Sequence, residues 1–247
     1  MDDLVRWHDL ECGGYDVDLP LWRELAAQAG GPVLDVGAGT GRTSLDLARR
    51  GAEVTALDVE ESLLAELARR ARAGRLTVAT LLADARELAV SARFAAIIVP
   101  MQTIQLLGGP EGRGRFLARV RAHLRPGGLF AAAIVDALGG HDSISGAPTP
   151  EGGWSALPDI TEFGGTIYSS RPVAMLPVAG GVMIERVREI VSPTGERTVT
   201  GDRIVLDALT ANTLYAECAA AGLTRERERR VAATPEYVGS TVVVCRG

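Results

Sequence analysis

The stretch VLDVGAGTGR, residues 33–42, joins an apolar run with one aspartate to a turn that contains three glycines. Consecutive apolar residues are typical of a strand that is buried on both faces of a parallel sheet. Gly37, Gly39 and Gly41 permit positive φ angles and leave the backbone open to close approach. The stretch therefore predicts a buried strand followed by a tight turn against which a ligand lies.

The same rhythm continues along the chain, where apolar runs alternate with amphipathic segments. This alternation predicts an α/β fold with a doubly wound parallel sheet covered by helices on both faces. The expected strands cover residues 32–36, 52–59, 75–85, 93–100 and 129–138, with a closing hairpin at 223–231 and 240–246. The expected helices cover residues 19–31, 41–51, 60–74, 111–124 and 210–222.

The segment 137–207 breaks this alternation. Residues 137–165 are rich in Gly, Pro and Ser and predict a loop, whereas 166–207 turn to a period of two with turn signals between the runs. We expect three antiparallel strands here, inserted into the α/β frame as a roof over a substrate site. Because no long linker divides the sequence, residues 1–247 are expected to form a single domain.

Composition excludes several functional classes. The chain contains no lysine, so a pyridoxal-phosphate enzyme and a Walker phosphate loop are both ruled out. A net charge of -5 argues against a nucleic-acid partner. Three cysteines and three histidines lack metal-ligand spacing, so no metal is expected. With no apolar leader or membrane-length run, we expect a cytoplasmic protein without a membrane partner.

The residues DVGAGTG, 35–41, resemble the D-x-G-x-G-x-G signature of class I S-adenosylmethionine-dependent methyltransferases. A dinucleotide fingerprint would need glycine at position 42, which is Arg42, and Asp35 would repel a pyrophosphate. The resemblance implies a seven-stranded Rossmann-like sheet of order 3-2-1-4-5-7-6 with the last strand antiparallel. Two alternatives stay open: an NAD-dependent oxidoreductase and a non-catalytic S-adenosylmethionine-binding module.

The resemblance also implies a set of contacts to the cofactor. Asp35 would face the cofactor's ammonium, the glycine turn would carry its amino-acid part, Asp58 would accept the ribose hydroxyls, and a tyrosine of the amino-terminal segment would cover it. The adenine would lie against the end of the third strand, and the end of the fourth would lend a carbonyl. The implied cofactor-binding residues are Tyr15, Asp35, Gly37, Ala38, Gly39, Gly41, Asp58, Val59, Asp84, Ala85, Pro100 and Met101.

The reacting groups are less clearly marked, because methyl transfer needs chiefly alignment and exclusion of water. A general base is required only for a protonated nucleophile, and His141 is our candidate. Substrate contacts are expected from segments above the carboxyl ends of the strands. These candidates are Gln102, Gln105, Asp136 and Trp154, for each of which packing or capping is the alternative role.

The expected acceptor is a small molecule. The inserted strands resemble those of methyltransferases that act on amino acids, amino sugars and natural-product scaffolds. The sequence VPMQ after the fourth strand, residues 99–102, lacks the tetrapeptide found in enzymes that methylate amide or base nitrogens. The sequence therefore predicts methylation at oxygen or nitrogen of a small molecule by a monomer or homodimer.

Overall fold

The computed structural model describes residues 3–135, 158–234 and 237–247. Six α-helices and twelve strands form there, and the strands make up two separate sheets. The helices are α1 (Asp3–His8), α2 (Leu19–Ala29), α3 (Arg42–Arg49), α4 (Glu61–Ala73), α5 (Gly109–His123) and α6 (Ala211–Ala220). The strands are β1 (Val33–Val36), β2 (Val54–Asp58), β3 (Val78–Leu82), β4 (Phe94–Val99), β5 (Leu124–Ile134), β6 (Asp159–Phe163), β7 (Thr166–Val178), β8 (Gly181–Val191), β9 (Arg197–Asp207), β10 (Thr224–Arg225), β11 (Arg229–Val231) and β12 (Ser240–Arg246).

The larger sheet has the order β10-β12-β5-β4-β1-β2-β3, and β11 also pairs with β12. Strands β1 to β5 are parallel, whereas β12 runs antiparallel to β5. With β10 and β12 as the sixth and seventh strands, the predicted order 3-2-1-4-5-7-6 is confirmed. The winding direction reverses between β1 and β4, which places a crevice at the carboxyl end of β1.

Helices cover both faces of this sheet because each presents one apolar side. In α4, Leu63, Leu64, Leu67 and Ala71 recur at helical spacing and are buried. Helix α2 is followed by Gly30, whose φ of 63° is the left-handed conformation common after a helix. Core residues lie on the two sides of β1 and β4, so the central strands have no solvent-exposed face.

The phrase LRPGG, residues 124–128, belongs to strand β5 and not only to the turn before it. Leu124 pairs with Phe94 and Leu129 pairs with Ala96, so the residues between them form a bulge. The predicted strand start at residue 129 was therefore five residues late. Pro126 and the glycines concealed the strand because they are rare inside regular ladders.

The inserted sheet has four antiparallel strands in the order β6-β7-β8-β9, where the sequence predicted three. Strand β6, residues 159–163, lies within the segment predicted to be a loop. Every residue of β6 is exposed, so it shows no buried apolar face that a periodicity analysis would detect. Gly164 and Gly165 have φ angles of 60° and 81°, which suit a two-residue hairpin turn to β7.

The amino-terminal segment is helical before α2 begins. Helix α1 is followed directly by a π-helical turn, Asp9–Gly13, and π-helical turns are frequent at functional sites. Within the described ranges, no helix is long and apolar enough to cross a membrane.

Candidate functional site

A cavity of about 590 Å³ lies between the carboxyl ends of the parallel strands and the inserted sheet. Its floor comes from the loops after β1, β2, β3 and β4, its roof from β8 and β9, and one wall from the π-helical turn. Both its size and its position are those expected for a small-molecule site of a doubly wound sheet. A second cavity of about 650 Å³ lies beside β11 on the surface, where most of its arginines are paired with glutamates.

The turn after β1 requires glycine because side chains of neighbouring segments occupy the space that a Cβ would take. A Cβ at Gly39 would fall 2.1 Å from Nε2 of His8, and one at Gly37 would fall 2.5 Å from Cγ2 of Thr103. All three glycines also have positive φ, with Gly41 at 96° just before α3. Gly37 and Ala38 thus line the cavity, whereas Gly39 and Gly41 do not, and the closest approach to the turn comes from His8 and Thr103.

Asp35 lies under the turn with an incomplete set of hydrogen bonds. Its Oδ2 accepts a hydrogen bond of 2.6 Å from the Ser44 hydroxyl, while its buried Oδ1 has no hydrogen-bond partner among the residues that the structure describes. Burial raises the pKa of the Asp35 carboxyl to about 7, against the opposing effect of Ser44. A buried acceptor without a partner calls for a donor, and a ligand ammonium in the cavity would supply one.

Asp58 ends β2 and is held by two backbone groups. Its Oδ2 accepts a hydrogen bond of 2.8 Å from the Gly39 amide, and its Oδ1 accepts one of 3.0 Å from the Glu60 amide. A carboxylate offers about four lone-pair positions, so both oxygens keep capacity for ribose hydroxyls. Val59 follows on the cavity wall with 60% of its surface exposed.

The end of β3 also lines the cavity, but its carboxylate is engaged. Asp84 accepts hydrogen bonds from the Arg86 guanidinium, with a shortest distance of 2.6 Å, and from the Arg86 amide at 2.8 Å. This guanidinium lowers the pKa of Asp84 below its ordinary range. Ala85 is buried beside it and lines the cavity. An adenine amino group would therefore compete with Arg86 for Asp84.

After β4 the chain bends sharply into the cavity. Met101 has a φ of 47°, a conformation that is uncommon for residues other than glycine. The Pro100 carbonyl accepts a hydrogen bond of 3.1 Å from the Thr103 hydroxyl, and its second lone pair remains for a ligand. Pro100, Met101 and Gln102 all line the cavity, in agreement with their predicted positions.

Gln105 does not reach the cavity. It is completely buried, and its amide accepts a hydrogen bond from the Val135 amide at 2.9 Å and donates to the Asp207 carbonyl at 2.9 Å. Gln105 thereby joins the loop after β4 to the end of β5 and to β9. Every hydrogen-bond partner of this side chain among the described residues is a backbone group, which corresponds to the packing role given as the alternative to a substrate contact.

Tyr15 is likewise placed away from the cavity. Its ring packs in the core against Tyr237, with centroids 4.9 Å apart, and its carbonyl accepts a hydrogen bond from Arg42. Arg42 also binds both carboxylate oxygens of the buried Asp18. The residue that replaces the third glycine of a dinucleotide fingerprint therefore anchors the amino-terminal segment, and the position of Tyr15 differs from that of a cofactor lid.

The roof and the wall contribute residues that the sequence did not reveal as site residues. Glu11 accepts two hydrogen bonds of 2.8 Å from Arg188 and one of 2.7 Å from Ser170. The period-two pattern of β8 was the available signal, since Arg186 and Arg188 must share one face of the strand. The cavity residues without a predicted role include His8, Glu11, Cys12, Ile184, Arg186, Arg188, Asp202, Ile204 and Leu206.

His8 stands at the junction of the wall and the glycine turn. Its Nδ1 lies 3.3 Å from the Thr40 hydroxyl, and burial lowers the pKa of the imidazole. His8 is therefore neutral near pH 7. The predicted general base His141 and the predicted substrate contacts Asp136 and Trp154 lie outside the described residues.

Comparisons with known proteins agree with this geometry. Residues 33–128 match a family model described as a methyltransferase domain. The chain is similar to a S-adenosylmethionine-dependent methyltransferase from Clostridium acetobutylicum, with 12% identity, 98% and 96% of the two chains covered and a TM-score of 0.73. It is similar to the amino pentose methyltransferase CalS10 from Micromonospora echinaspora, with 19% identity, 98% and 97% covered and a TM-score of 0.71. No match was found among curated proteins.

A third solved structure has the same fold: the sugar N-methyltransferase KedS8 from Streptoalloteichus, with 19% identity, 99% and 92% of the two chains covered and a TM-score of 0.71. At such identities the structures establish the fold, and the family match establishes the methyltransferase domain. The aspartates of the cleft suit a cationic adenosyl ligand and disfavour the pyrophosphate of NAD. Residues 33–128 therefore form a methyltransferase domain, and the chain as a whole has the fold of S-adenosylmethionine-dependent methyltransferases.

Proposed function

We propose that this enzyme methylates a nitrogen of a small molecule, of the class that includes amino sugars and natural-product scaffolds. Support comes from the cavity of about 590 Å³ between the strand ends and the inserted sheet, a volume in the range of small-molecule sites. It comes also from similar structures whose names specify nitrogen: a sugar N-methyltransferase, a glycopeptide N-methyltransferase and a 1,6-didemethyltoxoflavin-N1-methyltransferase. Oxygen as the acceptor atom is the alternative.

The main observation in support is that one cavity has an acidic floor and a roof that is partly apolar and partly lined by arginines. On the floor, Asp35 and Asp58 line the space beside the glycine turn. Above them, β8 and β9 add isoleucines, arginines and Asp202. A methyl donor on the floor and an acceptor under the roof would meet in this shared space, where the enclosing walls limit access of water.

Each floor residue receives a role in this proposal. Asp35 would hold the ammonium of the cofactor through its buried Oδ1, and Asp58 would accept the ribose hydroxyls. Ala85 and Val59 would bound the adenosine, and the Pro100 carbonyl would accept a second hydrogen bond from the ammonium. When bound, S-adenosylmethionine supplies an electrophilic methyl group on a positively charged sulfur.

Proton removal is required only if the acceptor nitrogen arrives protonated. His141 remains the proposed base for that case. His8 borders the same cavity with a neutral imidazole, but its ring lies against Gly39 beneath the roof. It therefore suits closure of the cofactor site better than contact with the acceptor nitrogen.

Methyl transfer to matched probe acceptors tests the proposal. We would incubate the enzyme with methyl-labelled S-adenosylmethionine and pairs of compounds that differ only in amine against hydroxyl, such as glucosamine and glucose, and benzylamine and benzyl alcohol. We expect label in amine members and none in their hydroxyl partners. Methylation of the alcohols without methylation of the amines would contradict nitrogen as the acceptor atom. Methylation of peptides but of no small molecule would contradict the proposed acceptor class.

A further inference from the structure

The inner face of the inserted sheet carries two arginines, Arg186 and Arg188, at alternate positions of β8. Both line the cavity, and both side chains are mostly buried, with 18% and 17% of their surfaces exposed. A buried positive charge is costly unless it is paired. The partners of each guanidinium therefore show how much of its charge is available to a ligand.

Arg188 is fully compensated. Its Nε and Nη2 each donate to the Glu11 carboxylate at 2.8 Å, and its Nη1 lies 3.0 Å from Oδ1 of Asp202. Two carboxylates thus surround one guanidinium, and these ion pairs raise its pKa. Glu11 and Asp202 are in turn occupied, so neither presents an uncompensated negative charge to a ligand.

Arg186 is compensated less well. Its Nε donates to the Ser170 hydroxyl at 3.1 Å, and its Nη2 donates to Asp159 at 3.2 Å. Asp159 is 48% exposed, so solvent screens this ion pair, and the Glu11 oxygen nearest to Arg186 lies 3.5 Å away. Among the described residues, no hydrogen bond involves Nη1 of Arg186.

The roof is apolar on one side of Arg186, whereas the residue opposite it on β9 is Asp202, which is paired with Arg188. Ile184 precedes it on the same face of β8, Ile184 is paired with Ile204 of β9, and Leu206 follows on the cavity side. Such a surface excludes water and strengthens an ion pair formed next to it. The roof therefore offers an apolar patch for the body of a small molecule and a guanidinium for a charged end.

On this basis we propose that Arg186 binds an anionic group of the methyl acceptor, a carboxylate or a phosphate, through the planar guanidinium. The inference rests on the proposed small-molecule function and adds the charge of the substrate. A guanidinium suits both oxyanions because its N–H groups match their paired oxygens. The apolar patch beside it would hold the carbon skeleton, so that the acceptor atom points down to the floor.

The test uses binding of benzoate, phenyl phosphate and benzamide to the enzyme saturated with S-adenosylhomocysteine, measured by titration or ligand-observed NMR. A guanidinium holds an oxyanion by charge-assisted hydrogen bonds that a neutral amide cannot form equally well, so we expect at least one anion to bind about tenfold or more tightly than benzamide. Arg186→Gln should remove this preference, and Arg186→Lys should restore part of it. Whether benzoate or phenyl phosphate binds better distinguishes a carboxylate from a phosphate.

Arg203→Gln is the matched control. Arg203 is on the neighbouring strand, faces away from the cavity and pairs with Glu185 at 2.7 Å, so its loss should leave the preference for anions unchanged. The inference is refuted if benzamide binds as well as both anions, if Arg186→Gln retains the preference, or if Arg186→Gln weakens S-adenosylhomocysteine equally. Failure of wild type to methylate any small molecule would instead refute the proposed function.

Discussion

Replacing Asp35 by asparagine should make the stability of the cofactor-free protein less sensitive to pH. The Asp35 carboxyl is fully buried, and burial raises its pKa from an ordinary value of 3.8 to about 7. An aspartate with a raised folded pKa stabilises the fold below its unfolded pKa, and this stabilisation is lost as pH rises through the folded pKa. The relevant window is therefore pH 4 to 7.

The size of the effect follows from the two pKa values. Between pH 5 and pH 8, an aspartate that titrates at about 7 when folded and 3.8 when unfolded loses about 2 to 3 kcal/mol of stabilisation. Asparagine has no such titration. Any fixed cost of its buried amide, about 1 to 3 kcal/mol, is the same at both pH values and cancels in the comparison.

Urea unfolding of wild type and Asp35→Asn at pH 5, 6, 7 and 8 measures this difference. Relative to wild type, the variant should gain about 2 to 3 kcal/mol across the series. Asp46→Asn is the control, because the ion pair with Arg23 lowers the pKa of Asp46, so its stabilisation is lost only at lower pH. A difference for Asp35→Asn that is constant from pH 5 to pH 8 would refute the burial argument.

The same titration bears on the cofactor. If an ionised Asp35 holds the ammonium of S-adenosylmethionine, the affinity of wild type should rise up to about tenfold between pH 6 and pH 8, following the ionised fraction of the carboxyl. Asp35→Asn should bind more weakly and lose this pH dependence. Equal affinities of the two proteins at pH 8 would mean that another group receives the ammonium.

Two further predictions concern the turn and the ribose site. Asp58→Asn should weaken S-adenosylmethionine binding by about tenfold or more in titration calorimetry, because a carboxylate that accepts hydroxyl hydrogen bonds is lost. The control Asp46→Asn should leave this binding unchanged. Tight NAD binding by wild type would contradict the choice of cofactor. Gly39→Ala should lower the free energy of unfolding by about 1 to 3 kcal/mol, since its Cβ would meet His8 at a positive φ. His8→Ala should rescue part of that loss, and Gly114→Ala, at an open helical position, should be harmless. No rescue by His8→Ala would show that backbone strain alone sets the cost.

The parallel sheet could be predicted because its signals are local. Each central strand is apolar at every position and each helix carries one apolar side, so element type and order follow from periodicity. The antiparallel β12 was foreseen only through the family resemblance. Strand β6 was missed because its existence depends on pairing with β7 and not on any buried face of its own.

The floor of the site was predictable for the same reason, since carboxyl ends of parallel strands converge on one crevice. The roof could not be predicted in this way. Contacts between residues more than 150 positions apart in the sequence decide which face of an inserted strand meets the cavity, as between Glu11 and Ser170 or Arg188. Gln105 shows that a position in a loop above the sheet is a weak signal for a ligand contact. Its position suggested a ligand contact, whereas its side-chain amide forms hydrogen bonds with the backbone at the ends of β5 and β9.

The amino-terminal segment joins the two halves of the site through charge pairs. Asp9 of the π-helical turn pairs with Arg70 of α4 and accepts from the Thr40 hydroxyl, which fixes the turn to the glycine loop. Two residues later, Glu11 binds Arg188 and Ser170 of the roof. The short spacing between Asp9 and Glu11 therefore couples the floor of the cavity, where we propose that the cofactor binds, to the roof, where we propose that the acceptor binds. Because Thr40 is part of the turn on which the cofactor is proposed to lie, loss of the Asp9 contacts would disturb both subsites together.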